Sequence, residues 1–176
     1  GWWHRLESAP VSSHAGRDGR TAPTTRYEIR DAAGSLVAVH CRRDLADGDK
    51  RLWWEQPNGT KGLNGHKPED LPLYGLDALA ESGTGAAIVV TEGEKAADAL
   101  RSIGVHAVGT VTGADGCPCD GCLSPLIGFE VCLWPDNDEK GRAHMTAVGR
   151  RLVRLGASVR VLTWPEAPEK GDAADF

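Results

Sequence analysis

Two short acidic motifs stand out because each one follows a short apolar segment. Glu-Gly-Glu-Lys at 92–95 comes directly after the apolar run 86–91, and Pro-Asp-Asn-Asp-Glu at 135–139 comes directly after the run 131–134. In open α/β sheets, ligands bind at the carboxyl ends of the strands. Carboxylates that converge there would hold a divalent cation through hard oxygen ligands. The two motifs therefore point to the chemistry of phosphoryl transfer.

The elements needed to position these motifs are predicted by the pattern of residues 86–176. Apolar runs that resemble buried strands alternate with segments of helical periodicity. The predicted strands are 86–91, 105–111, 130–134 and 158–164, and the predicted helices are 94–103 and 139–155. This alternation favours an α/β fold, with a parallel sheet and right-handed crossovers.

The first half of the chain has a different character. Residues 1–25 are rich in Ser, Gly, Pro, Thr and Arg and indicate a flexible lead-in or linker. Residues 26–82 contain alternating β-like segments separated by turn residues, which predicts a small β-rich subdomain. The α/β domain is then expected to occupy residues 83–176.

Composition limits the classes of protein that fit. The 176 residues are 40% hydrophobic and 26% charged, as expected for a globular protein in water. No apolar run approaches the roughly 20 residues of a membrane span, and the start does not resemble a signal peptide. A cytoplasmic protein with no membrane association is expected, with its five cysteines reduced or bound to metal. The net charge of −5 argues against a generic surface for polyanions.

Three ordered motifs carry a resemblance to a known family. They are Val-Thr-Glu-Gly-Glu-Lys-Ala-Ala-Asp at 90–98, Leu-Trp-Pro-Asp-Asn-Asp-Glu at 133–139 and Lys-Gly-Asp-Ala-Ala-Asp at 170–175. Together they resemble the Toprim domain, and in particular the Toprim domains of phage- and plasmid-type DNA primases, including the primase halves of primase-helicases. The resemblance implies a Rossmann-like, mostly parallel sheet flanked by helices.

The resemblance also implies roles for individual residues. Glu92 matches the glutamate that the family uses as a general acid or base. Asp136 and Asp138 match the Asp-x-Asp pair that binds Mg²⁺ or Mn²⁺, and Asp172 matches a later acid with a supporting or second-metal role. Two lysines next to these motifs are candidate phosphate contacts: Lys95 and Lys170. A structural alternative is that the acidic motifs only form loops and cap the helices that follow.

The β-rich segment 26–82 resembles the part that precedes the Toprim domain in such primases. Its candidate nucleic-acid contacts are basic side chains for phosphates and indoles for base stacking: Arg42, Arg43, Lys50, Arg51, Trp53 and Trp54. Consecutive residues of a strand point to opposite faces, so the two tryptophans are expected to differ in exposure. The alternative is that both indoles pack and that the basic residues form an ordinary solvated face.

A cluster of three cysteines could form a second metal site. Cys117, Cys119 and Cys122 could hold Zn²⁺. The candidates for a fourth ligand are Cys132, His106 and His144. The spacing departs from paired Cys-x-x-Cys motifs. Free thiols, or a local disulfide formed on oxidation, are the alternatives.

The leading functional hypothesis is a primase-type Toprim module. It would make short RNA primers from NTPs on a single-stranded DNA template. The sequence has no P-loop pattern, so any helicase would lie in chain beyond Phe176 or in a partner. A metal-dependent Toprim nuclease and a non-catalytic, DNA-binding Toprim module are the alternatives.

Overall fold

The computed structural model describes residues 23–113 and 116–176. Its N-terminal part is an antiparallel sheet of three strands in the order β1-β2-β3. The strands are β1 (Thr24–Arg30), β2 (Leu36–Asp44) and β3 (Lys50–Glu55). This agrees with the predicted β-rich segment. Most of the predicted lead-in falls on residues 1–22, which lie outside the described part.

The second half folds into a four-stranded parallel sheet with helices on both faces. The sheet order is β5-β4-β6-β7, and each neighbouring pair is parallel. The strands are β4 (Ala87–Thr91), β5 (Ala107–Gly109), β6 (Glu130–Trp134) and β7 (Ser158–Val161). The helices are α1 (Glu94–Ser102), the short α2 (Asp120–Leu123) and α3 (Glu139–Arg154). The predicted α/β fold class is confirmed.

Alternation along the central strands explains why α1 and α3 lie on opposite faces of the sheet. On β4, Ile88 and Val90 belong to the larger core cluster, whereas Val89 belongs to the smaller one. The apolar stripe of α3 packs in the larger cluster and consists of Met145, Val148 and Leu152. The smaller cluster receives Ala96, Ala97 and Leu100 of α1. Because both faces are covered, the central strands are apolar almost throughout.

Several elements differ from the sequence prediction. The strand expected at 105–111 is paired only over Ala107–Gly109, and the strand expected at 158–164 ends at Val161. After Gly109 the chain turns so that the Thr110 hydroxyl can donate to the backbone oxygen of Glu92 (2.8 Å). Helix α2 was not predicted, because four residues are too few to show helical periodicity.

No helix in residues 23–113 or 116–176 is long and apolar enough to cross a membrane.

The antiparallel sheet packs against the carboxyl edge of the parallel sheet. Tyr27 of β1 makes an edge-to-face contact with Tyr74, with the ring centroids 5.6 Å apart. Tyr74 in turn forms an isolated antiparallel bridge with Gly109 at the end of β5. A small apolar cluster that contains Ile29 and Val111 fills the junction. One face of the antiparallel sheet is thereby held over the ends of the parallel strands.

Candidate active site

Strand register places Glu92 and Asp136 next to each other. Thr91 pairs with Trp134 at the ends of the two central strands. Glu92 immediately follows β4, and Asp136 lies just beyond β6. Gly141, in the first turn of α3, gives both room, because a Cβ there would collide with Glu92 Oε1 and would lie 2.8 Å from the backbone oxygen of Asp136. The two predicted strand-end acids therefore meet in one place.

Glu92 has an oxygen without a partner. Its Oε1 is buried, and no hydrogen-bond donor of the described residues reaches it. Burial raises the pKa of Glu92, and the carboxylates of Asp138 and Asp172 raise it further, although a hydrogen bond with the backbone of Asp136 acts in the opposite direction. A buried carboxylate with a free oxygen lacks compensation for its lost hydration. This is the environment of a group that awaits a proton or a cation.

Among the acids of the cleft, Asp136 has the most strongly raised pKa. Burial and, after it, the carboxylates of Glu92, Asp172 and Asp138 together raise its pKa to about 7. The ammonium group of Lys50, on the antiparallel sheet, counteracts it. Carboxylates this close cannot all ionise freely near neutral pH without a positive counter-charge.

Asp138 has a structural role of its own. It is the N-cap of α3, and its Oδ1 accepts a hydrogen bond from the backbone N–H of Gly141 (2.7 Å). The capping alternative therefore applies to Asp138. It does not apply to Glu92, because Gly93 is the N-cap of α1 and no side chain caps that helix.

The C-terminal tail is joined to the Asp-x-Asp loop. The backbone N–H of Asn137 donates to Gly171 O (2.9 Å), and the Asn137 side-chain amide donates to Ala167 O and Pro168 O, each at 3.0 Å. These hydrogen bonds bring Asp172 beside the other acids, and Lys95 Nζ lies 3.9 Å from Asp172 Oδ2. Asn137 was not among the predicted functional residues, although it stands between the two aspartates of the motif.

Lys170 is placed differently from the prediction. It is exposed, has a left-handed φ of 60°, and its backbone N–H donates to Asn137 O (3.2 Å). Its side chain does not line the cleft that contains the acids. Only Lys95, of the two predicted phosphate-binding lysines, is brought into that cleft.

The cleft lies between the two sheets and has a volume of about 250 Å³. Its ionic lining consists of four acids of the α/β half and three cations: Glu92, Glu94, Asp136, Asp172, Arg42, Lys50 and Lys95. Arg42 and Lys50 come from the face of the antiparallel sheet that packs toward the strand ends. Arg42 also bonds Asp44 (2.8 Å), an exposed ion pair that leaves the guanidinium partly accessible.

Three of the four other basic and aromatic candidates lie on the opposite face. Arg43 and Arg51 are cross-strand partners one position out of phase with Arg42 and Lys50, so they lie on the opposite face of the sheet. Trp53 lies there too, and the Arg43 guanidinium is 5.6 Å from its ring centroid. Trp54 faces inward, where its ring packs against the apolar junction cluster. The predicted nucleic-acid set is therefore divided between two surfaces.

Two further residues join the sheets at the cleft and were missed by sequence reasoning. His40 Nδ1 lies 2.6 Å from Glu94 Oε1, and the His40 ring stacks on Trp54 with centroids 4.1 Å apart. Glu94 is 7% exposed. The sequence did contain a signal for these two residues. Glu94 is part of the Glu-Gly-Glu-Lys motif, and His40 lies two residues before Arg42 and therefore on the same face of β2. The contact itself joins residues 54 apart in the chain, which no local pattern reveals.

The residues present suit one predicted metal better than the other. Within the described residues, no three His, Cys, Asp or Glu side chains are grouped closely enough to form a complete metal cage. Mg²⁺ does not need one, since it usually takes one or two carboxylates and completes its shell with waters and substrate phosphates. The orphaned Glu92 oxygen and the crowded Asp136 carboxyl fit that requirement. Structural Zn²⁺ needs four protein ligands.

The cysteines do not converge as a zinc site would require. Cys119 Sγ and Cys122 Sγ are 3.3 Å apart, whereas Cys117 packs against the larger core cluster. Cys132 lies on the other face of the sheet, against the smaller cluster. His144, another candidate ligand, has both ring nitrogens engaged, by Thr110 Oγ1 (3.0 Å) and Gly116 O (2.9 Å).

Comparison with known proteins gives a structural match without a sequence match. No family model and no curated protein sequence matches the chain. Among solved structures, a DNA primase domain from Pseudomonas aeruginosa matches with a TM-score of 0.63 and 23% identity, over 91% of this chain and 49% of that one. The E. coli primase catalytic core matches with a TM-score of 0.63 and 20% identity, over 94% of this chain and 51% of that one.

A third neighbour was solved with a ligand. The DnaG primase catalytic domain bound to single-stranded DNA matches with a TM-score of 0.62 and 17% identity, over 84% of this chain and 46% of that one. The chain thus spans about half the length of these structures. The structural neighbours of this protein are DnaG-type primase catalytic cores, and its fold is the one they share.

Proposed function

We propose that this chain is the catalytic module of a DNA primase, joining NTPs into short RNA primers on a single-stranded DNA template. The observation that carries the proposal is the cleft in which crowded, buried carboxylates face three cations. Acids at the parallel strand ends fit a divalent cation, and the cations opposite fit a polyphosphate. The likeness to DnaG-type primase cores supports this assignment over other uses of the same fold.

The size of the cleft agrees with a bound triphosphate. Sites that enclose a whole small molecule measure roughly 300–1,000 Å³, and this cleft measures about 250 Å³. It would hold the triphosphate, with the base and the template strand outside it. Arg42, Lys50 and Lys95 would bind the phosphate oxygens and fix the α-phosphorus for in-line attack.

Glu92 and Asp136 would hold the cation that the reaction needs. Mg²⁺ or Mn²⁺ bound there would polarise a phosphoryl oxygen and neutralise charge on the leaving pyrophosphate. Glu92, whose pKa is raised and whose Oε1 has no donor among the described residues, is placed to accept the proton of the attacking 3′-hydroxyl. The new bond joins that oxygen to the α-phosphorus, and the bond to pyrophosphate breaks.

The test combines metal binding with product analysis. The protein is titrated with Mg²⁺ and Mn²⁺ and then incubated with single-stranded DNA and labelled NTPs, alongside Asp136→Asn and the matched outer-face control Arg51→Ala. We expect metal binding and short RNA products from the wild type and the control, and neither from Asp136→Asn. Cleavage of the DNA without RNA synthesis would replace the proposal with a nuclease, and products from Asp136→Asn would refute the assigned site.

A further inference from the structure

Two of the three clustered cysteines form a close pair. Cys119 Sγ and Cys122 Sγ are 3.3 Å apart, against about 2.0 Å in a disulfide. Cys119 is the N-cap of α2, and Cys122 lies in the first turn of that helix. The backbone N–H of Cys122 donates to Cys119 O (3.1 Å), which holds both side chains on the same side of the turn. A disulfide therefore requires the sulfurs to approach by only about 1 Å.

The surroundings hold the backbone of this pair in place. The backbone N–H of Cys119 donates to Glu69 O (2.8 Å), which ties the pair to the segment before the parallel sheet. Arg151 of α3 donates to Pro118 O, and Arg154 bonds the Asp120 carboxylate (2.8 Å). Cys119 and Asp120 are thus each held by a hydrogen bond to another part of the chain. Such anchoring favours closure between these two thiols over rearrangement to a third.

The third thiol is not a member of the pair. Cys117 is packed against the larger core cluster, and the Arg151 guanidinium holds its backbone oxygen (3.4 Å). The described residues contain no group of three metal-binding side chains that includes these cysteines. The local geometry is that of a dithiol with a separate, partly buried neighbour that packs against the core. Cys117 therefore serves as a natural control for the chemistry of the other two.

Exposure separates the roles of the two thiols. Cys119 is partly exposed, so a reagent in solution can reach it. Cys122 is only 8% exposed and donates its S–H toward Glu69 O (3.6 Å). Burial and the neighbouring Cys119 raise the pKa of Cys122 to about 12, so Cys122 is the protonated member of the reduced pair. Attack from outside should begin at the accessible member of such a pair.

We propose that Cys119 and Cys122 are a thiol–disulfide redox site for low-molecular-weight disulfides. Cys119 loses its proton to solvent, and its thiolate attacks one sulfur of the reagent, which forms a mixed disulfide and releases one thiol. Cys122 Sγ then attacks Cys119 Sγ, the bond between Cys119 Sγ and the reagent sulfur breaks, and the Cys122 proton passes to that departing sulfur, which leaves as the second thiol. The protein loses two hydrogen atoms and the reagent gains them, so the step needs no other oxidant. This site is independent of the proposed polymerase chemistry.

The site lies behind the acidic cleft. Gly116 O, just before the cysteine cluster, accepts a hydrogen bond from His144 Nδ1 (2.9 Å). His144 Nε2 lies 3.0 Å from Thr110 Oγ1, which donates to the backbone oxygen of Glu92 (2.8 Å). A short series of polar contacts thus joins Gly116, three residues before Cys119, to the strand end that carries Glu92.

The experiment uses the full chain, reduced and then transferred into oxidised glutathione. Peptide mass mapping is carried out on the wild type, Cys119→Ser, Cys122→Ser and the control Cys117→Ser, and circular dichroism verifies that each is folded. We expect the wild type and Cys117→Ser to form the 119–122 disulfide reversibly. Cys122→Ser should accumulate glutathione on Cys119, because the thiol that resolves the mixed disulfide is absent. Cys119→Ser cannot form this disulfide, and glutathione on its buried Cys122 should be about tenfold or more lower than glutathione on Cys119 in Cys122→Ser.

Three results would overturn the proposal. The first is a disulfide that includes Cys117, and the second is glutathione on Cys119 that persists in the wild type. The third is stoichiometric zinc, bound by the reduced protein and lost in Cys117→Ser, because zinc would require all three thiols. If Cys122→Ser does not fold, Cys119→Ser alone decides, since its side chain is partly exposed and its replacement leaves the core intact.

Discussion

The two walls of the cleft hold opposite charges in different environments. The acidic wall, at the end of the parallel sheet, keeps Glu92 and Asp136 half-buried among like charges, and burial is the main cause of both raised pKa values. The basic wall, on the antiparallel sheet, keeps its charges near solvent. Lys50 is exposed, and Arg42 has its own carboxylate partner, Asp44.

This difference indicates which wall depends on a ligand. Exposed ion pairs contribute little and are screened by water and salt, so the basic wall is stable by itself. Buried, mutually repelling carboxylates lower stability until a proton or a cation compensates them. The acidic wall should therefore dominate both metal binding and the response to pH, whereas the basic wall should tune affinity for the substrate.

The largest effect is expected from the acidic wall. Asp136→Asn removes one of the two carboxylates best suited to the cation and should reduce primer synthesis on the order of 10²–10³-fold. Calorimetric Mg²⁺ titration and a primer assay measure the two losses. Equal metal affinity in the wild type and the variant would show that the acids do not form the site, and the contrast between the walls would disappear.

The second largest effect is expected on the free energy of unfolding, which should depend on pH when no metal is present. Because the pKa of Asp136 is raised from 3.8 to about 7 in the folded state, the fold keeps a proton that the unfolded chain has lost. Its contribution to stability is fully present below about pH 4 and is lost as pH rises to about 7. Denaturant unfolding in chelator, at several pH values across this window, should show the decline.

The matched variant isolates this contribution from other acids. Asp136→Asn should show a smaller fall in the free energy of unfolding across the same window, and it should be more stable than the wild type near pH 7 in chelator. Added Mg²⁺ should stabilise the wild type more than the variant. Parallel pH curves for the two proteins would contradict the assigned cause.

A smaller effect is expected from the basic wall, with the outer face of the same sheet as control. Arg42→Ala and Lys50→Ala should each raise the KM for NTPs about tenfold, which corresponds to about 1.4 kcal/mol of lost phosphate contact. Arg43→Ala and Arg51→Ala, on the opposite face, should change this KM little. Steady-state kinetics at fixed template tests this. A larger effect on KM from Arg43→Ala or Arg51→Ala would show that the phosphate contacts lie on the opposite face.

The smallest effect is expected at Asp138, where two variants distinguish the charge of the side chain from its role as a helix cap. Asp138→Ala should lower the free energy of unfolding by about 1 kcal/mol, because the Gly141 N–H loses its acceptor. Asp138→Asn should keep the cap and remain within a few tenths of a kcal/mol of the wild type. Denaturant unfolding in chelator measures both. If Asp138→Asn nevertheless abolishes Mg²⁺ binding, Asp138 is a ligand as well as a cap.

Sequence reasoning succeeded where function depends on the ends of strands. Glu92 and Asp136 each follow an apolar run, and parallel pairing of β4 with β6 is sufficient to bring them together. The fold class followed from the same alternation of strands and helices. The assigned chemistry of these acids stays a prediction, as do the domain boundaries at residues 25 and 82.

Sequence reasoning failed where position depends on a single backbone angle or on a distant contact. Lys170 follows the motif pattern, but it has a left-handed backbone and does not line the cleft, so its phosphate contact stays a prediction. The six basic and aromatic candidates of the β-rich segment formed one set in the sequence, and the pleat of the sheet divides them between two faces. The pairing of His40 with Glu94 depends on how the two sheets pack, which neither segment encodes alone.

Gly141 places helix stability and the acidic cleft in competition for the same volume. Replacing glycine by alanine inside a helix ordinarily gains about 1 kcal/mol, so a search for thermostable variants would select this position early. Here the added methyl group would displace the Glu92 carboxylate and press on the backbone of Asp136. Gly141→Ala should therefore not give the usual gain in stability, because the Asp136 backbone cannot move aside as a flexible side chain could, and the glycine keeps open the space that the two acids occupy.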